Sequence, residues 1–158
     1  MKKLFSLLFV LALLPASSLL AQQSLNPEVT SPVAWHFGGA VTVTWSFVNA
    51  VANPNGVTGE TTYNAIVTIT NNTPNEIQDW SLGMSEMDSI NNIFGAGTWS
   101  GIGNNYTCQY DPMNRNVIPG NGSISFTYLA TTKGEINKPS GLTFSAPSVA
   151  LDWDPYND

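Results

Sequence analysis

Beyond its first 21 residues, this chain is dominated by an alternation of apolar and polar residues with a period of two. Val41, Val43, Trp45 and Phe47 point one way in the first clear run, followed by Tyr63, Ala65, Val67 and Ile69, then Trp80, Leu82 and Met84. Tyr106, Cys108 and Tyr110 make another set, as do Ile124, Phe126 and Tyr128, Leu142 with Phe144, and Val149, Leu151 with Trp153. Successive side chains of an extended backbone point to opposite sides, so each run has one apolar face and one rich in Thr, Ser and Asn. Turn formers separate the runs: Asn53-Pro54-Asn55-Gly56, Asn71 to Asn75, Gly101 to Asn105, and Pro119-Gly120-Asn121-Gly122. No window carries a convincing helical stripe. The pattern predicts an all-β, immunoglobulin-like β-sandwich of two antiparallel sheets and about nine strands. Trp45, Ile69, Trp80, Leu82, Phe126 and Phe144 are expected between the sheets, with Gln22 to Pro32 as an extended arm and Asp154 to Asp158 as a tail.

The first 21 residues read as an address. Lys2 and Lys3 precede an apolar run from Leu4 to Leu14, and small residues around Pro15 to Ser18 and at Ala21 suit cleavage. This is the pattern of a bacterial-type secretory signal peptide, too short for a membrane span. It predicts a secreted, extracellular protein made of one domain, residues 22–158. Loss of Lys2 and Lys3 leaves three basic residues against eleven acidic ones, a net charge of −8. So few cations argue against nucleic acid and against anionic membranes as partners. The single cysteine, Cys108, alternates with Tyr106 and Tyr110 and reads as a small buried apolar residue.

Catalytic chemistry is hard to assemble from these residues. The one histidine, His36, lies between Trp35 and Phe37, and no nucleophile elbow accompanies it. Glu76, Asp79, Glu86 and Asp88 could hold a hydrolytic pair, but their neighbours read as a strand end and a solvated loop. Asp152, Asp154 and Asp158 lack the glycine and distal glutamate of a calcium loop. The sequons at Asn71, Asn105 and Asn121 are expected to be unmodified turn residues. The reading is therefore a protein that is not an enzyme and takes no cofactor and no metal.

Four segments carry a resemblance. TTYNAIVTITNNT (Thr61 to Thr73) leads into IQDWSLGM (Ile77 to Met84), followed by NVIPGNGSISFTY (Asn116 to Tyr128) and KGEINKPSGLTF (Lys133 to Phe144). Their order resembles the secreted family 2 carbohydrate-binding modules of the cellulose-binding type, and the related domain of plant COBRA proteins. In those modules a V-x-V-x-N strand precedes G-W-x-L, an I-x-P-G turn, S-x-x-F-x-F and a closing P-x-x-F. The resemblance implies a sandwich with Trp80 packed inside it and a non-catalytic role. The family's W-N-A step matches Phe94-Gly95-Ala96, and its W-N step matches Met113-Asn114. Its tryptophan before the Tyr63 strand has no counterpart in GETT, Gly59 to Thr62. Many such modules close their ends with a disulfide, which a single cysteine cannot form within the chain.

Sugar rings dock flat on aromatic side chains while amides and hydroxyls bond their rims. That chemistry in the aromatic and amide-rich middle, together with the resemblance, implies carbohydrate-binding residues Phe94, Trp99, Asn105, Tyr106, Tyr110 and Asn114, and the resemblance implies a polysaccharide partner, cellulose or a related β-glycan. Glycines flank Trp99 and leave two readings of it open, an exposed ring or a buried anchor. An adhesin or matrix protein that uses the sandwich for protein–protein association is the alternative from another class.

Overall fold

The structure is a computed structural model that describes residues 27–95, 97–113 and 116–152. Its nine strands are β1 (Val33–Phe37), β2 (Val41–Ala52), β3 (Thr61–Asn71), β4 (Ser81–Ser85), β5 (Ser89–Gly95), β6 (Thr98–Ile102), β7 (Asn105–Gln109), β8 (Ser123–Thr132) and β9 (Ser140–Ser145). Five form one sheet in the order β1-β2-β3-β8-β5, and four form the other, β6-β7-β4-β9. Every pairing is antiparallel. The fold is the all-β sandwich that the alternation predicts.

The core follows from the register. Trp45 pairs with Val67, and Val67 with Phe126, so one inward row crosses three strands of the larger sheet. Leu82 pairs with both Cys108 and Phe144 on the facing sheet. Trp45, Ile69, Trp80, Leu82, Phe126 and Phe144 are all buried between the sheets. Burial also pushes the Cys108 thiol up to about 12. The Trp80 indole N–H donates to the Asn116 carbonyl at 2.7 Å, which keeps its buried polar atom satisfied.

Asn71, the last residue of β3, is a clamp rather than a modification site. It is buried; its Nδ2 donates to the carbonyls of Asn75 (2.6 Å) and Pro119 (3.1 Å), and its Oδ1 accepts from the N–H and Oγ1 of Thr73. The end of β3 is thereby tied to the turn that precedes β8. Asn105 begins β7 and is not a turn residue.

Three further expectations need correction. Residues 27–30 form one helical turn with Val29 in the core, so this part of the arm is not extended. Val149 and Leu151 pack against the core but do not form a strand. The Ser148 N–H and Oγ donate to Asp79 (2.9 and 2.5 Å) and the Val149 N–H donates to Ala146, so these donors are spent in a turn instead of a ladder. Trp153, Asp154 and Asp158 lie outside the described residues, as does the signal segment.

The third correction concerns Glu86 and Asp88, which are buried and not solvated. They sit in the crossover from β4 to β5 beneath a chain of hydrogen bonds. Trp45 Nε1–H donates to the Tyr128 hydroxyl at 2.8 Å, and that hydroxyl donates to Glu86 Oε2 at 2.7 Å. The Tyr63 hydroxyl donates to Asp88 Oδ2 at 2.9 Å, where the Asn137 N–H also donates at 3.1 Å. The Asp88 N–H closes the loop on Glu86 Oε1. Hydroxyls from β3 and β8, with the backbone N–H groups of Asn137 and Asp88, thus satisfy carboxylates that would otherwise be too costly to bury.

Candidate functional site

The two sheets meet at an open corner where β5 is the outer strand of one and β6 the outer strand of the other. Only residues 96–97 connect them, so the two free edges lie side by side. Between them runs a groove of about 370 Å³. Ile90 and Ile93 of β5 form one wall, Trp99 of β6 and Tyr106 of β7 the other, and Asn91, Asn92 and Ser100 also line it.

Local irregularity builds this groove. Ile90 pairs with Ala130 and Asn92 with Leu129, so Asn91 is an extra residue, a β-bulge. The bulge turns both Ile90 and Ile93 toward the interior, three positions apart, and leaves Asn91, Asn92 and Phe94 exposed. On the opposite wall, Gly101 pairs with Tyr106. A Cβ at Gly101 would stand 2.6 Å from the Tyr106 ring, so the glycine lets that ring lie across β6. Gly97 has φ of +91°, and a Cβ there would meet Cys108 Sγ at 2.3 Å and Trp80 at 3.1 Å. Only glycine lets the corner close onto the core there.

Trp99 is half-buried. Its ring meets Phe126 edge-to-face, with centroids 4.5 Å apart, and the rest of it lines the groove. Of the two readings open from sequence, the packed anchor describes most of the ring. Its indole N–H is buried and has no hydrogen-bond partner among the described residues. Buried donors of this kind are uncommon and call for an acceptor from water or a ligand.

The six expected residues do not share one plane. Trp99 and Tyr106 come together in the groove, and Tyr110, also half-buried, packs against the core. Phe94 follows Ile93 on the same edge strand but points outward, 55% exposed, opposite Thr127 of β8. Asn105 lies on the outer face of the smaller sheet, where its Oδ1 accepts from Ser85 Oγ at 2.8 Å. Asn114 is outside the described residues. Sequence reasoning did not single out Ile90, Asn91, Asn92, Ile93 and Ser100, and their only signal was proximity to Phe94 and Trp99.

A family model described as the cellulose-binding domain matches residues 56–147, more than half of the chain. The chain belongs to that family. Within the cellulose-binding domain, the matched region runs from the turn before β3 to just past β9 and includes every groove residue. No curated protein matches the sequence. Among solved structures it is similar to the chitin-binding domain of Chi18aC from Streptomyces coelicolor, at 15% identity over 69% of this chain and 93% of that one, with a TM-score of 0.48. It is also similar to chitinase ChiA74 from Bacillus thuringiensis, at 15% identity over 68% of this chain and 20% of that one, TM-score 0.42. An archaeal chitinase aligns at 12% identity over 65% and 23% of the two chains, TM-score 0.45.

Proposed function

We propose that this polysaccharide-binding module is a secreted, non-catalytic protein that holds a neutral β-glycan, such as cellulose, along the free edge of β5. The groove at the sheet corner carries this reading. Its walls are aromatic and aliphatic, its rim is amide and hydroxyl, and none of the described residues that line it is charged. That combination suits the C–H faces and hydroxyl rims of sugar rings. A chain lying against an edge strand meets side chains from both faces, which brings Phe94 into reach beside the groove. Glu86 is fully enclosed and so is withdrawn from any glycosidic bond, while Asp88 is held by Tyr63 and Asn137. Export is supported by the leader-like residues 1–21.

The test is retention of the protein on insoluble cellulose, chitin and xylan at several salt concentrations, with Phe94→Ala alongside. Stacking survives salt, whereas charge-driven association fades. Phe94→Ala should lose retention with its unfolding midpoint unchanged, because an exposed ring contributes little to the core. Failure of the unmodified protein to bind all three polymers would refute the reading and favour association with another protein.

A further inference from the structure

The geometry points to a second subsite for the same glycan, on the far side of Asn91 from the groove; this rests on the groove being a sugar site. A recess of about 460 Å³ opens there against the beginning of β5 and the end of β8. Asn91 lines both the recess and the groove, so the two are neighbours across one side chain. That residue is the bulge, and bulges on edge strands re-aim side chains in this way. Its Nδ2 donates to Thr131 Oγ1 at 2.6 Å, which fixes the amide at the junction.

The recess has the chemistry of a sugar subsite and not of an ionic one. Met87 is 71% exposed and lines it, an apolar surface without a core role. Lys133 and Glu60 face each other across 3.7 Å, so their charges offset while both still offer hydrogen bonds to hydroxyl groups. Ser89 and Thr131 add hydroxyls. An anionic polymer would meet the Glu60 carboxylate there, which disfavours it. From Ser89 to Ile93 the strand runs roughly 13 Å at the usual rise, room for more than one ring of a linear chain. One extended glycan therefore spans groove and recess, passing Asn91.

Chain-length dependence tests this. Affinities of the full chain for cello- and chito-oligosaccharides, from disaccharide to hexasaccharide, should rise with length as the recess fills. Met87→Ala, at an exposed position that leaves folding intact, should weaken hexasaccharide binding by roughly tenfold and leave disaccharide binding unchanged. Lys133→Ala should act in the same direction. Equal affinities for short and long oligosaccharides, or wild-type hexasaccharide binding by both variants, would overturn the second subsite and leave the groove reading standing. If the unmodified protein binds no oligosaccharide and no polymer, the groove reading falls, and the second subsite with it.

Discussion

Replacing Glu86 with glutamine should flatten the pH dependence of this protein's stability. Glu86 is fully buried, and its crossover holds a second carboxylate, Asp88. Among the described residues the single ion pair is Lys133 with Glu60, so no described cation pairs with Glu86. Burial raises its carboxyl from the ordinary 4.5 to about 7, against the opposing pull of hydrogen bonds from Tyr128 and the Asp88 N–H. The sign follows from linkage. Below pH 4.5 the carboxyl is protonated whether the chain is folded or unfolded, and its contribution is complete. Between 4.5 and about 7 the unfolded chain releases the proton while the folded one keeps it, so stability falls as pH rises. At about 1.4 kcal/mol per unit, the fall amounts to about 3 kcal/mol by pH 8.

Urea titrations at intervals from pH 4.5 to 8, on wild type and Glu86→Gln, measure this directly. Glutamine keeps an oxygen for the Tyr128 hydroxyl, and whatever its buried NH2 costs is independent of pH. The informative quantity is therefore the change in the stability difference with pH, not its value at one pH. Wild type should lose about 3 kcal/mol relative to the variant across the window. Parallel curves would refute the reasoning, because they would mean that Glu86 titrates at the same pH in both states.

Trp80→Ala should destabilise by about 3–5 kcal/mol in a denaturant titration, since it empties a fully buried site and orphans the Asn116 carbonyl. Tyr128→Phe removes the hydroxyl between Trp45 and Glu86. It should cost about 1–3 kcal/mol and move the Glu86 titration to higher pH, because that hydrogen bond favours the ionised carboxyl. Trp99→Ala should lower the unfolding midpoint measurably, unlike Phe94→Ala, because its ring packs edge-to-face on Phe126. A midpoint unchanged by loss of Trp99 would return it to the exposed-ring reading.

The sandwich was legible wherever alternation was uninterrupted. β3 is the clearest case, where Thr61 to Asn71 alternate between buried and half-buried without a break; the inward positions Tyr63, Ala65, Val67 and Ile69 follow from the sequence, while Thr61 and Asn71 extend the same face beyond it. β5 and β6 were not read as strands, for physical reasons. The bulge at Asn91 places Ile90 and Ile93 three apart, which breaks the period of two. In β6 the position that shares the face of Trp99 is Gly101, which shows no side chain, and Ile102 is 88% exposed, so the apolar residues do not mark one face. β1 did alternate, at Val33, Trp35 and Phe37, and its signal was available in the sequence.

The buried carboxylates were hidden for another reason. Ser-Glu-Met-Asp-Ser reads locally as a solvated loop, and the hydroxyls that satisfy it come from 42 and 25 residues away. The hint lay in the partners: Tyr63 and Tyr128 stand at inward positions, where a phenol must find an acceptor. The same logic joins the network to the groove. Regular alternation specifies a core but leaves sheet faces flat and edges straight. A bulge, a side-chain-free position on β6 and a buried polar crossover depart from it, and they lie together at the β5 corner. Elements that break a local rule are expected where function or strain resides. Here the three departures converge on one edge strand: its start is pinned by Glu86 and Asp88, its middle re-aimed at Asn91, and its facing wall opened by Gly101. The residues least legible in the sequence are therefore the ones that shape the place where a glycan would lie.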